Sequence, residues 1–434
     1  MSTPAIYTHH EPQSSLLPLL SAHLPYSGPL FRRIQHSVFC PSEKAQILAT
    51  FPPAPTATPV KPQSPWLAAY VDIYAGSQTQ IWLYSSVEAE VSIPSIQEWS
   101  AIEGRSLATD RQSKLVLEPE IAAEIQAQLL SLCLYIQTHL LPPYISYLES
   151  QKNGHNQPTD PSPQAPFDDK FVKKLPPHSP TSFLFGSLHT GICDLLHATI
   201  TTPEKLPPHL PRIRIPPRDP EVCMKYIFHR STYDPLCQEN GVASRINDSE
   251  SGLPQGYRFH DLKRRLGVQA HQLDLVLSRT NIPRSKTMLQ KIPSVAVYYD
   301  GGADDSSYPC PGATANGSPD CALGEMPVAW AFLVMDGSLS TLHVEEGHRG
   351  QGLARVISRE VMKLAMGEKG GAYTTGSGSG SDSGEISMGE DDSDQGWLFA
   401  DVSLPNKASR RVMGKLGGEP AWTVKWVAVE VVED

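Results

Sequence analysis

One segment constrains the fold of this chain more than any other, because it runs from a strand-like stretch through a glycine turn into an amphipathic helix. It reads TLHVEEGHRGQGLARVISREVM, with Gly350 and Gly352 in the turn. A helix that opens there leaves its first backbone N–H groups without intrahelical acceptors and carries partial positive charge at that end. Glycine lets an anion approach such groups closely. The segment therefore predicts an α/β fold with an anion site at the turn.

The segments after the turn predict a specific order of elements, namely a helix, a strand and a second helix. Residues 353–365 show apolar positions at helical spacing, and WLFADVS at 397–403 reads as a strand. Asn406 then opens a short helix that ends at Gly417 and Gly418. A dinucleotide-binding fold needs G-x-G-x-x-G with an acidic residue about 20 positions on, and a P-loop needs Gly-Lys-Ser/Thr. Neither pattern is present at this turn.

This arrangement resembles the GNAT acyltransferase superfamily. The turn matches its acyl-CoA signature, Q/R-x-x-G-x-G/A, as Arg349-x-x-Gly352-x-Ala354. The run GSLSTLHVEEGHRGQGLA is most similar to the FR47-like subgroup related to glycine N-acyltransferases. The resemblance covers residues 252–434 and implies the GNAT fold, a mixed, mostly antiparallel sheet flanked by helices.

The activity that the resemblance implies is an acyl-CoA-dependent N-acyltransferase. Such an enzyme transfers acetyl from acetyl-CoA, or another acyl group from its CoA ester, to a primary amine of a small molecule or peptide by direct attack. The alternative is a non-catalytic protein that binds a CoA ester as a regulator or scaffold on the same fold.

The resemblance also implies which residues bind the cofactor. The backbone of residues 342–344 would pair with the pantetheine arm, whose amides can bond like an added strand. The turn would hold the pyrophosphate, and Asn406 would bond the cofactor near its thiol, or only cap its helix. Leu342 and Val344 also fit core positions, and His343 fits a packed or edge histidine. The full set is Leu342, His343, Val344, Arg349, Gly350, Gln351, Gly352, Leu353, Ala354, Arg355 and Asn406.

Direct attack requires a group that removes a proton from the ammonium form of the amine. Asp401 is the candidate base, because several ribosomal-protein acetyltransferases of the superfamily place a glutamate in the corresponding strand. A strand-end Asp that contacts solvent or a cap is the alternative. An unperturbed Asp has a pKa of about 3.9, so Asp401 would need burial to act near neutrality.

The sequence departs from the family at two catalytic positions. Ser338 stands where glycine N-acyltransferases have a proposed glutamate base, and Met413 stands where the usual leaving-group Tyr would be. A thioether cannot donate a proton. Another residue, water or no dedicated acid must therefore serve the departing thiolate.

Residues 1–240 form the other predicted domain. WLAAYVDIY and TQIWLYSSV flank Ala75-Gly76-Ser77 and predict a β-hairpin. Residues 119–141 show helical spacing, and the helix is expected to end at Pro142 and Pro143. These elements fit a degenerate second copy of the GNAT fold without the acyl-CoA signature. They also fit a family-specific α/β domain that shapes the acceptor site.

Charge and composition limit the expected partners. A formal net charge of -10 gives little help in binding nucleic acid or an anionic membrane, so neither is expected. Seven cysteines without a CxxC pair argue against a zinc site or a disulfide framework. No metal is expected, and reduced thiols without a signal peptide fit a cytoplasmic protein. Low-complexity insertions are predicted at 301–325 and 367–396, while the sequence does not indicate an oligomeric state.

Overall fold

The computed structural model describes most of the chain outside its low-complexity stretches. The described residues are 3–53, 62, 65–76, 78–90, 112–153, 179–216, 221–231, 252–280, 282, 284–300, 325–366 and 396–432. Apart from Glu325 and Gly396, the predicted insertions at 301–325 and 367–396 lie outside these ranges.

Thirteen strands and ten α-helices occur in the described ranges. The strands are β1 Tyr7–Thr8, β2 Gln46–Ala49, β3 Leu67–Val71, β4 Ile81–Ser85, β5 Phe183–His189, β6 Arg212–Arg214, β7 Cys223–His229, β8 Tyr257–Arg258, β9 Ser294–Tyr299, β10 Ala329–Leu333, β11 Leu339–Val344, β12 Trp397–Ser403 and β13 Glu419–Val432. The helices are α1 Pro12–Ser15, α2 Leu17–Ser21, α3 Gly28–Phe39, α4 Pro119–Tyr135, α5 Leu141–Asn153, α6 Thr190–Thr201, α7 Leu273–Ser278, α8 Lys286–Leu289, α9 Leu353–Met366 and α10 Lys407–Lys415. None of the described helices combines the length and the apolar character needed to cross a bilayer.

The N-terminal half contains an antiparallel meander followed by a parallel strand. β2 pairs with β3 and β3 with β4, which confirms the predicted hairpin. β4 then meets β5 in parallel at a single register pair, Ile81 with Phe185. The helix predicted to end at Pro142 and Pro143 continues instead. A π-helical turn, Ile136–Leu140, precedes them, and both prolines fall in the first turn of α5, where a missing N–H is tolerated.

The C-terminal half repeats this order. β8 to β11 form an antiparallel sheet, and α9 leads from β11 to β12. β11 and β12 meet in parallel only at the bridge between Ser338 and Phe399. Each half therefore contains a pair of parallel strands that touch at one point.

The final strand of each half completes the sheet of the other half. β7 pairs with β12, β13 pairs with β5, and β7 and β13 pair with each other in antiparallel fashion. The order β4-β5-β13-β7-β12 places an approximate two-fold axis between the two central strands. The mixed, mostly antiparallel GNAT-type sheet is confirmed, and the N-terminal half takes the form of a second copy.

The two faces of β12 contact different parts of the molecule. Leu398, Ala400 and Val402 pack into one core with the apolar face of α9. Phe399 points the other way, toward α3 of the N-terminal half. A Cβ at Gly28 in α3 would lie 2.0 Å from Cζ of that ring. Side chains alternate along a strand, so Asp401 shares the face of Phe399.

Candidate functional site

The predicted anion site lies where β11 passes into α9. A 3₁₀ turn, Glu346–His348, follows the strand, and the helix begins at Leu353. Gly350 and Gly352 have φ of +82° and +79°, the left-handed region that favours glycine. A Cβ added at either position would meet nothing within 4 Å. Backbone conformation and open space above the turn, rather than packing, therefore explain these glycines.

The turn presents a run of free backbone amides. The N–H groups of residues 350–354 donate no hydrogen bond to any described residue. Arg349 fastens the turn to the strand, because its Nε donates to the carbonyl oxygen of Val344 at 3.1 Å. Leu353 anchors the helix start and is 1% exposed. Successive free amides at the positive end of a 14-residue helix form a cradle for an anion.

The strand beside the cradle has an open edge. On its β12 side, the only bridge in the described part of the chain is the one at Ser338. Thr341 has φ of +54° and lies where the β10–β11 register shifts, so β11 carries a bulge just before residues 342–344. A ligand with amide groups could pair with this edge as an added strand would.

The side chains of the predicted strand residues point to different places. Leu342 and Val344 pack against the core beneath α9. His343 lies on the other face, stacked on Trp330 with ring centroids 4.7 Å apart. Its Nε2 is 3.6 Å from Oε1 of Glu345. His343 is thus a packed histidine beside a carboxylate.

The helix-cap role of Asn406 is observed directly. Its Oδ1 accepts a hydrogen bond from the amide of Ser409 at 3.0 Å at the start of α10. Met413 on the same helix is 2% exposed and packs into the core shared with α9. It therefore fills space under α10.

Asp401, the predicted base, neither faces bulk solvent nor caps a helix. Nζ of Lys225 lies 2.7 Å from its Oδ1, and Oγ of Ser187 donates to its Oδ2 at 2.8 Å. The Lys225 side chain is fully buried, and that of Asp401 is 10% exposed. Ser187 lies on β5, three strands from the β12 strand of Asp401 in the sheet order, so direct strand pairing does not account for their contact.

These contacts define a buried charged cluster at the junction of the two halves. Burial raises the pKa of nearby Asp336; the charge of Lys225 opposes this rise, and that of Asp401 adds to it. Removing Lys225 would leave two acidic groups without their shared counter-ion.

Sequence reasoning missed Lys225 and Ser187. One signal was available for Lys225, since it lies in the middle of the apolar strand CMKYIFH. A charged residue in such a strand needs a partner. No comparable signal marks Ser187, whose φ of +51° appears only in the fold.

Metal-binding groups and disulfides are absent from the described ranges. Within them, no three His, Cys, Asp or Glu side chains are placed to hold a metal ion. The four described cysteines, Cys40, Cys133, Cys193 and Cys223, are free thiols.

Comparison with protein families gives a match over more than half of the chain. The model of the acyl-CoA N-acyltransferase verG N-terminal domain matches residues 3–226. This is the half in which sequence reasoning found no acyl-CoA signature. No curated protein sequence matches the chain at a significant level.

Several solved structures show a distant likeness. A Drosophila protein is 11% identical with a TM-score of 0.42, covering 96% of this chain and 94% of that one. A tandem GNAT protein from the clavulanic acid biosynthesis pathway is 10% identical with a TM-score of 0.38, covering 99% of both chains. A GCN5-related N-acetyltransferase from Kribbella flavida is 13% identical with a TM-score of 0.29, covering 58% of this chain and 68% of that one. The family assignment rests on the family match.

Proposed function

Because this chain belongs to the acyl-CoA N-acyltransferase verG N-terminal domain family, we propose that it transfers acetyl from acetyl-CoA to a primary amine of a small molecule or peptide. The observation that carries the proposal is the run of free amides at residues 350–354, beside the open edge of β11. An acyl-CoA has a pyrophosphate, which suits the free amides, and two pantetheine amides, which suit the open edge of β11.

The cradle at the start of α9 is the proposed pyrophosphate site. Its amides and the positive end of the helix dipole attract an anion. Arg349 holds the turn against the strand, and Arg355 adds a positive charge one turn into the helix. Both glycines leave the approach open, which supports a close contact between phosphate and backbone.

The thioester lies, in this proposal, in the opening between β11 and β12. Pantetheine amides pair with the backbone of Leu342, His343 and Val344, and Asn406 bonds the arm through its side-chain NH₂ while its Oδ1 caps α10. A backbone N–H near the bulge of β11 would stabilise the developing negative charge on the carbonyl oxygen.

The reaction forms an amide bond and breaks the C–S bond. The neutral amine nitrogen attacks the thioester carbon, and CoA thiolate leaves. Asp401 is the proposed acceptor of the proton that the ammonium form must lose first. Lys225 and Ser187 hold its carboxylate in place. As the amide forms, its nitrogen loses a second proton, which water carries to the departing CoA thiolate, because the buried thioether of Met413 cannot protonate it.

A second function built on the same fold is a non-catalytic protein that binds a CoA ester. Both functions predict acyl-CoA binding, whereas a protein–protein adaptor predicts none. A cytoplasmic location belongs to this proposal as well. It rests on the thiol content.

A thermal-shift screen against CoA esters of increasing chain length tests the cofactor. A ligand that binds only the native state raises its apparent stability by about 2.7 kcal/mol at 100 times its Kd. We expect acetyl-CoA to raise Tm. Absence of a shift with every ester, at concentrations up to millimolar, would contradict acyl-CoA binding.

A further inference from the structure

A recess opens between the diverging strands β4 and β5 of the N-terminal half. Its interior has room for little more than one water-sized group. Four aromatic rings wall it, and a carboxylate and an ammonium supply its charges. These residues are Tyr26, Trp82, Tyr84, Trp422, Glu88 and Lys225. By the approximate two-fold axis, the recess corresponds to the opening between β11 and β12 in the other half.

Glu88 is the unusual group of this recess. It lies in the 3₁₀ turn Ser86–Glu90 that follows β4 and is 5% exposed. Its one hydrogen bond within the described ranges comes from the amide of Ser85, at 2.9 Å. Burial raises the pKa of Glu88 to about 8, against the opposing effects of the Ser85 amide and Lys225.

Lys225 forms its salt bridge with Asp401 and not with Glu88. Its Nζ pairs with Asp401 at 2.7 Å, and no described Lys, Arg or His side chain forms a salt bridge with Glu88. Among the described residues, the ionised form of Glu88 therefore has the Ser85 amide and the nearby charge of Lys225 in its favour, but no ion pair of its own. A buried carboxylate in this position gains most from a cationic ligand.

The aromatic walls favour the same kind of ligand. Tyr26 and Trp422 are stacked with centroids 5.3 Å apart, and His23 bonds the hydroxyl of Tyr84 at 2.7 Å. Aromatic faces attract cations, most strongly where water is excluded. The ionised carboxylate of Glu88 would repel an anionic ligand. A neutral apolar ligand would leave that carboxyl without a hydrogen-bond or ionic partner. Volume restricts the occupant to a small head group.

We propose that this recess binds the ammonium group of a small primary amine, with Glu88 as its counter-ion and the rings of Tyr26 and Trp422 as its walls. The inference rests on the proposed function in one respect, namely that the amine is the acceptor. Ser187 and Lys225 line the recess and also hold Asp401, so the bound amine lies one side chain away from the proposed base.

Amine binding is measured by calorimetric titration of the full chain without acyl-CoA. The probes are methylamine and propylamine as hydrochlorides, with propanol as the neutral analogue. We expect the amines to bind and propanol not to bind. Affinity should rise about fivefold from pH 7 to pH 8, because the ionised fraction of a group with a pKa of about 8 rises by that factor.

Other titrating groups do not obscure this pH window. Those that interact with Glu88 are Tyr84 on β4, Cys193 on α6 and Lys225 on β7. Burial raises the pKa of Tyr84 and raises that of Cys193 to about 12, so neither titrates between pH 7 and pH 9. Lys225 keeps Asp401 as its counter-ion.

Glu88→Gln provides the decisive variant, and Glu90→Gln is its matched control. Glu90 is exposed in the same 3₁₀ turn, so the control makes the same charge change without touching the recess. We expect Glu88→Gln to abolish amine binding and Glu90→Gln to preserve it. Absence of wild-type binding, or equal binding by Glu88→Gln, would overturn the inference.

Two further measurements keep the outcomes separate. If Glu88→Gln does not fold, the wild-type pH dependence decides, because pH-independent affinity between pH 7 and pH 8 excludes Glu88 as counter-ion. Acyl-CoA titration of the same wild-type sample reports on the proposed function independently. Amine binding without acyl-CoA binding, or the reverse, shows which of the two has failed.

Discussion

The Nζ atom of Lys225 lies 2.7 Å from Oδ1 of Asp401, although the two residues belong to different halves of the chain. The contact exists because β7, the last strand of the N-terminal half, pairs along its whole length with β12. The N-terminal half therefore supplies the counter-ion of the carboxylate proposed as the base. Changes on either side of this pair have effects that can be measured separately.

Asp401→Asn tests the base directly. Asn keeps the size and one acceptor oxygen but cannot take a proton. We expect turnover to fall by about 10²- to 10⁴-fold with little change in acyl-CoA affinity. The acidic limb of the pH–rate profile should disappear as well. Unchanged turnover per folded molecule would reduce Asp401 to a clamp between the halves.

Lys225→Met tests the clamp. The change leaves the carboxylate chemically intact but removes its counter-ion from a buried site. Breaking such a pair costs about 3–5 kcal/mol, so the free energy of unfolding should fall by that order in urea titrations. Lys363→Met is the control, since Lys363 pairs with Glu360 on the exposed face of α9 and should cost about 1 kcal/mol or less.

Gly352→Leu tests the cradle. A side chain here adopts a strained backbone conformation and projects into the open space above the free amides. We expect loss of acyl-CoA binding in calorimetry with a folded far-UV spectrum. Gly76→Leu is the matched control, because Gly76 has φ of +64° and equally open surroundings in the β3–β4 connection. Equal acyl-CoA affinity in the two variants would place the pyrophosphate elsewhere.

Glu88 should make stability fall as pH rises. Its pKa is about 8 in the folded chain, against an ordinary value of 4.5 for a glutamate side chain. Between these values the unfolded chain has released the proton while the folded chain keeps it, so unfolding becomes easier up to about pH 8. The loss should be a few kcal/mol, at about 1.4 kcal/mol per pKa unit. In urea titrations at several pH values, the free energy of unfolding of Glu88→Gln should not decrease with pH in this way. A decrease equal to that of the wild type would contradict the burial of Glu88.

His189 should act in the opposite direction at lower pH. Its Nδ1 accepts the amide of Gly191 at 3.0 Å as the cap of α6, and burial lowers its pKa to about 4. The contribution of neutral His189 to the free energy of unfolding is complete above pH 6.5 and is lost as the pH falls to about 4. His189→Asn keeps a cap acceptor and should unfold less readily in that window. His197→Asn, at an exposed position on the same helix, should retain the wild-type acid sensitivity.

Local patterns predicted the elements of the C-terminal half closely. β12 spans the predicted 397–403, and α9 begins at the predicted residue 353 and ends one residue after the predicted 365, because strand alternation and helical spacing act over a few residues. Strand exchange lay beyond such reasoning. Alternation along β7 and β13 shows which face of a strand is buried but not which strand lies beside it.

The candidate site also combines features that neighbouring residues predict with features that they do not. The glycine turn and the Asn406 cap could be read from neighbouring residues, and both have the expected local geometry. Lys225 lies beside Asp401 because β7 pairs with β12 in that register, and Ser187 reaches Asp401 from β5. No local pattern encodes either long-range contact. Pro142 and Pro143 show the reverse case. A π-helical turn lets the helix continue through them where local propensity predicts an end.

Amine-dependent release of CoA thiol tests the central claim most directly. The full chain is incubated with acetyl-CoA and a panel of primary amines, thiol is followed with a chromogenic reagent, and products are weighed by mass spectrometry. An acyltransferase releases thiol only when an amine is present and yields a product heavier by one acetyl group. Acetyl-CoA binding without amine-dependent release across the panel would contradict catalysis and leave a CoA-ester-binding protein.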